Sequence, residues 1–396
     1  LSSSDFFAPR TIRDKGRVAG SECVRKALYI CANQPSLSDQ LMKKILFIVP
    51  FPKNIYPSER FRIALYEPDL HEKGYSFSTA YFWSLYARSI LYQKGRFLQK
   101  TGCLLAGFLR RWCMLLTLPR YDYVFILREV APIGPPLFEW LIARVFRKKI
   151  IYDMDDAVWI PQTAGNNAWV KSAKAFWKIK WICKWSWKVS AGNEYLQAFA
   201  RAYNPRVVHT PTCVDTDNMH NRIKDQHSEK LVIGWTGSFS TLEYLSDIIP
   251  AVETLEKKYD FEFLVIADQS PMLPLKSFRY IPWREETEIE DLLRCNIGIM
   301  PLADDEYAKG KCGFKIIQFL SLGIPVAAAP VGVNAKIIVE KESGYLCRNR
   351  AEWTYALEQL LLSAERRTEM GRMGRERMEE RYSRKSNAGN FLSLFE

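Results

Sequence analysis

The strongest constraint on this chain is an alternation that runs twice. Short apolar segments of strand length recur at residues 45–49, 75–80, 121–127 and 149–152, with helical segments between them. The pattern restarts at 231–235 and continues through 261–267, 278–281 and 297–301. Strands that alternate with helices predict a parallel sheet covered by helices on both faces. A chain of 396 residues suits two such units better than one. The polar stretch 216–229, almost without apolar residues, reads as the linker between them. The expected division is 42–212, 213–382 and a last helix over 383–396. Residues 1–41 are polar and aperiodic and precede Met42-Lys43-Lys44-Ile45. They read as an extension or disordered tail upstream of a natural start at Met42, or else as a genuine N-terminal arm.

Charge and cysteine usage narrow the class. The formal net charge of +12 favours an anionic partner: a phosphorylated substrate, an acidic membrane face or nucleic acid. Nine cysteines, an odd number with no CxxC pair, argue for reduced thiols in a cytosolic protein and against a disulfide framework or a zinc site. No secretory signal is visible, and Arg110-Arg111 interrupt the apolar run 103–118, which argues against a membrane span.

Residues 309–332 are the most informative stretch. Lys309, Lys311 and Lys315 crowd the mouth of a helix predicted over 313–322, where free N–H groups and the macrodipole favour anions. Gly323 stands at the C-cap position with Pro325 beyond it, and residues 326–329 read as a buried strand. The lysines form a phosphate site, or a solvated basic loop before a packed helix. Gly237-Ser238, between a strand and a helix predicted over 242–258, is a second turn whose N–H groups suit a diphosphate. Gly332-Val333-Asn334 opens a short helix aimed at the same place.

In the first unit, loops after strand ends are where open α/β sheets bind ligands. Arg60 and Arg62 follow the first strand, Arg128 and Glu129 the third, and Asn193 a later one. The arginines face an acceptor or phosphate, or are ordinary surface residues. Asp153, Asp155 and Asp156 invite a metal reading, an acceptor-orienting role for Asp155 or Asp156, or the capping of a turn. Residues 169–188 hold five tryptophans, six lysines and no acid. On a helix, Trp177, Trp181 and Trp185 would form one stripe and Lys180, Lys184 and Lys188 another, with Arg110 and Arg111 adding to the same face. That composition suits a membrane interface, core packing with wet lysines, or base stacking. The membrane is the preferred partner, and no nucleic acid is expected.

The run Lys315-Ile316-Ile317-Gln318-Phe319-Leu320-Ser321-Leu322-Gly323-Ile324-Pro325-Val326, with Gly234-Trp235-Thr236-Gly237-Ser238 before it, resembles retaining family 4 glycosyltransferases of the bacterial surface-polysaccharide type. The resemblance covers residues 42 to about 392. It implies the GT-B fold: two Rossmann-like doubly wound α/β domains facing across a cleft, with a C-terminal helix crossing back to the first. It implies transfer, with retention, of a sugar from a UDP- or GDP-sugar to a glycan or lipid-linked acceptor. No metal or other cofactor is required, and the enzyme rests on the cytoplasmic face of the inner membrane. Lys311 and Lys315 would stabilise the leaving diphosphate. Gly237, Ser238, Trp283, Gln318, Gly332, Val333 and Asn334 would complete the donor site, with Trp283 bordering the base or merely packing. Gln318 departs from the family, which has a glutamate there holding the donor ribose. An Arg/Lys pair usual in the family is also missing. A degenerate, non-catalytic nucleotide-binding protein at the membrane surface is the alternative. A dinucleotide oxidoreductase is disfavoured, because no GxGxxG follows a first strand.

Overall fold

The computed structural model describes residues 42–53, 57–91, 93, 95–161 and 173–396. The expected N-terminal tail and Trp169 lie outside the described residues. The first sheet is built from β1 (Lys43–Val49), α1 (Pro57–Arg62), β2 (Tyr75–Tyr81), α2 (Phe97–Thr117), β3 (Tyr123–Leu127), α3 (Leu137–Trp140), β4 (Lys149–Met154), α4 (Lys178–Trp185), β5 (Lys188–Ala191), α5 (Glu194–Arg201) and β6 (Val207–His209). Its six strands run parallel in the order β2-β1-β3-β4-β5-β6. Residues 45–49 and all of β3 are buried, which is why these strands read as unbroken apolar runs and not as alternation.

The second sheet contains β7 (Leu231–Gly237), β8 (Phe261–Ala267), β9 (Phe278–Pro282), α6 (Glu288–Leu293), β10 (Ile297–Met300), α7 (Phe314–Ser321), β11 (Val326–Ala328) and β12 (Gly344–Leu346). It is also parallel, in the order β12-β11-β10-β7-β8-β9. Strand order reverses between β1 and β3 in one sheet and between β7 and β10 in the other. Crevices at the carboxyl ends of strands at such reversals are where open α/β sheets take ligands. Gly313 (φ +67°) and Gly323 (φ +68°) bracket α7 in the left-handed region, where a side chain would strain the backbone.

The chain closes with α8 (Ala364–Arg381) and α9 (Arg384–Leu392). As expected, the last helix returns to the first sheet. Phe391 stacks on Tyr66 at 4.3 Å, and Phe395 meets Tyr123 edge-on at 5.6 Å. The Tyr123 hydroxyl donates to the Phe395 carbonyl, and Arg384 Nε donates to Asp69 at 2.9 Å.

Three local expectations are corrected. Residues 169–188 are not one helix: α4 covers only 178–185, and Lys188 opens β5 with its ammonium donating to the Ser393 carbonyl. The lysine stripe therefore ends at Lys184. Arg111 is fully buried, so it belongs to no surface. The helix expected at 242–258 is instead a 3-10 segment, Phe239–Asp247, followed by a separate α-helix, Ile249–Leu255. Pro250 lacks an N–H and crowds the preceding turn, so the two do not merge.

Candidate functional site

Lys315 sits on the first turn of α7, beside the end of β7. Its ammonium lies 4.4 Å from the centroid of the Trp235 ring and 3.4 Å from Thr241 Oγ1. Gly237 makes room for it: a Cβ there would come within 2.9 Å of Lys315 Cε and 2.6 Å of the Trp235 ring. Among the described residues no carboxylate pairs with Lys315. Burial, and then the charge of neighbouring Lys311, pushes its pKa down to about 7. A part-buried ammonium over a glycine turn has the chemistry to pair with an anion. Ser238 stands at the N-cap of the 3-10 segment, and the following N–H, that of Phe239, donates to Asp268 at 2.6 Å.

Next to it a buried carboxylate gathers three partners. Glu288, on α6, accepts from Gln318 Nε2 at 3.1 Å and from Trp283 Nε1 at 3.2 Å. Arg60, from α1 of the other half, reaches across to Glu288 at 2.9 Å and to Glu285 at 3.3 Å. Arg60 is therefore not an ordinary surface residue, and its Nη1 is buried without a hydrogen-bond partner among the described residues. Gln318 is 2% exposed, and its amide is spent on Glu288. Position 318 carries no charge, and the carboxylate beside it comes from Glu288. Nothing in the sequence singled out Glu288; the only signal was that Gln318 and Arg60 would each want an acid.

The carboxyl ends of β3, β4 and β5 face the loop before α7. Asp155 accepts from Arg128 Nε at 2.9 Å and from the Ser58 hydroxyl. Burial opposes its charge, but Arg128, Ser58 and Arg62 together outweigh burial and hold the carboxyl below the usual carboxylate range. Asp156 pairs with Arg128 at 2.8 Å and with Lys311 at 3.1 Å. Burial opposes the Lys311 charge, and Asp156 with Tyr307 overcomes it and raises the pKa. Asp153 takes Arg62 Nε at 3.0 Å in a site closed by Ser190 and Thr210, so Arg62 is structural and buried. The three carboxylates are thus held by arginines and a lysine.

Asn193 caps α5 through Oδ1, at 2.9 Å from the Leu196 N–H, while its amide donates to the Gly310 and Lys311 carbonyls at 3.1 and 3.0 Å. It thereby ties the two sheets' loops together. Glu129 pairs with buried Lys178 at 2.7 Å. Lys309 points outward, bonded to Glu306 at 2.8 Å. Gly332 (φ +55°) packs on the Lys309 backbone, and buried Asn334, after Val333, donates to the Ala329 carbonyl at 3.0 Å. The structure brings Gly237, Lys315 and Thr241 together, with Trp283, Gln318 and Glu288 as a second group. Lys311 stands with Asp156, and Lys309 lies apart from both.

Residues 230–363 match the family model described as Glycosyl transferases group 1. No curated protein sequence matches the chain. Among solved structures, sucrose-phosphate synthase from Thermosynechococcus elongatus superposes with a TM-score of 0.64 at 12% identity, covering 89% of this chain and 98% of that one. HepE from Anabaena, in complex with UDP and glucose, gives 0.63 at 12% identity, with 89% and 99% covered. The catalytic domain of starch synthase IV from Arabidopsis thaliana, bound to ADP and acarbose, gives 0.60 at 12% identity over the same shares. At such identities the likeness establishes the fold, which is that of a two-domain GT-B glycosyltransferase.

Proposed function

We propose that this chain, GT-B in fold with a glycosyl transferases group 1 domain in its second half, moves a sugar from a nucleoside-diphosphate sugar to a glycan or lipid-linked acceptor. The observation that carries the reading is Lys315, an ammonium desolvated beside Gly237 with no carboxylate partner among the described residues. In glycosyl transfer from such a donor the leaving group is a diphosphate, and charge that develops on it is best met by a fixed cation in a dry site. HepE was crystallised with UDP-glucose, which supports a uridine donor; GDP is the other candidate. Retention, independence of metal, a role in cell-envelope polysaccharide assembly and peripheral work on the cytoplasmic face of the inner membrane are parts of the same proposal. The arginine and lysine partners of Asp153, Asp155 and Asp156 support metal independence, since these carboxylates are already neutralised.

A panel of nucleotide sugars scored by thermal shift identifies the donor, because a ligand that binds only the native state raises its apparent stability. Release of the free sugar or its transfer, followed by NMR of the anomeric proton and repeated with EDTA, then tests enzyme, stereochemistry and metal together. Binding without turnover on every donor and acceptor tried would favour the degenerate, non-catalytic alternative.

A further inference from the structure

Helix α2 is inside out for a soluble protein. It spans 21 residues, Phe97–Thr117. The positions that face water recur at steps of four, three or seven: Leu98, Leu105, Leu109, Trp112 and Leu116, between 49% and 84% exposed. The opposite stripe is buried and contains Arg111, which donates to the carbonyls of Val130 at 2.7 Å, Ala80 at 2.9 Å and Val49 at 3.0 Å. The helix therefore buries the Arg111 guanidinium beside Met114 and Leu115 and exposes four of its leucines. By length and composition it is the one helix among the described residues that would suffice to cross a membrane. The three Arg111 bonds decide against crossing, because they fasten the helix to the ends of β1 and β2 and to the loop after β3.

Its surroundings are apolar and basic. Trp112 meets Phe138 of α3 at 5.2 Å, and α3 packs in turn on α4. That neighbourhood exposes Trp140 and Trp181, with the ammonium groups of Lys180 and Lys184 over the Trp181 ring at 5.9 and 5.3 Å. No Asp or Glu occurs at 73–121 or at 157–193, and the one acid on α3, Glu139, is buried. A second copy of this chain would bring one basic rim against another. A layer that is apolar within and anionic at its surface complements both features.

We infer that α2, flanked by α3 and α4, is the element by which this protein lies in the plane of an anionic lipid leaflet. The inference deepens the membrane-surface reading above and moves the contact from the 169–188 segment to α2. The leucines enter the acyl boundary, tryptophans sit at headgroup level and Lys180 and Lys184 meet the phosphates.

The test is sedimentation of the full chain with vesicles. The probes are phosphatidylglycerol–phosphatidylethanolamine mixtures and pure phosphatidylcholine. The parent protein should bind the first at low salt, and salt should weaken that binding. Leu105→Ser/Leu109→Ser/Leu116→Ser should lose at least tenfold in vesicle affinity with an unchanged melting curve. Leu362→Ser, an equally exposed leucine in the other half, should change neither. Lys180→Gln/Lys184→Gln should bind more weakly and lose most of the salt dependence. A triple variant that binds like the parent overturns the assignment to α2 and leaves the membrane reading standing. A parent that ignores anionic vesicles overturns both. Equal binding to phosphatidylcholine overturns the anionic surface. A parent that is dimeric, made monomeric by the triple substitution, assigns the face to a second copy and overturns the lipid.

Discussion

Lys315 ties the proposed chemistry to a measurable proton. Its pKa is depressed from 10.5 to about 7 in the free protein by burial and then by Lys311. A base with a lowered native pKa costs stability while it is charged, so its contribution to stability improves as pH rises from about 7 towards 10.5. A bound diphosphate reverses the preference and holds the proton. Nucleoside-diphosphate binding above pH 7 should therefore take up close to one proton. Calorimetry in two buffers of different ionisation enthalpy reads this directly, and affinity should fall as pH rises through 7–9. Lys315→Ala should weaken UDP binding by about 1.5–3 kcal/mol, the scale of a charged hydrogen bond, and abolish the uptake. Unchanged affinity and unchanged proton uptake would remove Lys315 from the site. The sequence singles out Lys315 together with Lys311, as a phosphate site or a solvated basic loop, because free N–H groups at the mouth of a helix favour anions. What the sequence does not show is the pairing of Lys311 with Asp156, which lies 155 residues away with nothing in either segment to announce it.

At the scale of elements, periodicity identified the strands well, because a strand buried on both faces leaves an unbroken apolar run. It misread what lies between them. Arg110 and Arg111 are both expected on one basic face, yet Arg111 is fully buried. Arg111 is satisfied not by water but by three carbonyls contributed from 31 and 62 residues before it and 19 after. Likewise the periodic tryptophans and lysines of 177–188 promised one long stripe, and extended backbone at Ser186 ends α4 two residues before Lys188 begins a strand. Arg111→Met should destabilise the fold by about 2–4 kcal/mol, since buried carbonyls lose their donor even though a buried charge is relieved. Denaturant unfolding gives the value. Arg110→Met should fall well below it, because Arg110 makes one described hydrogen bond, to the Phe82 carbonyl, and is only part-buried. Equal effects would mean that the anchoring of α2 is misassigned.

At the scale of the whole molecule, the two sheets are joined by more than the linker. Arg60–Glu288, Asp156–Lys311 and the Asn193 amide cross between the carboxyl edges, where the sequence placed both halves of the site without pairing them. The second joint is α9, which leaves the C-terminal sheet and covers the face of the first sheet formed by Phe47, Phe125 and Ile151. It shares that cover with Ile63, Leu65, Tyr66 and Leu70, and Phe391 and Phe395 between them touch Tyr66, Tyr75, Tyr123 and Phe125. Burying each such aromatic is worth about 1.5–3 kcal/mol. Ending the chain after Tyr382 should therefore unfold the first half at lower temperature and leave the second intact. Calorimetry of the full chain should show one main transition. The shortened chain should show two, with UDP raising only the later one. A shortened chain that melts in a single transition at the parent temperature would mean that α9 is carried by the first domain and does not hold it.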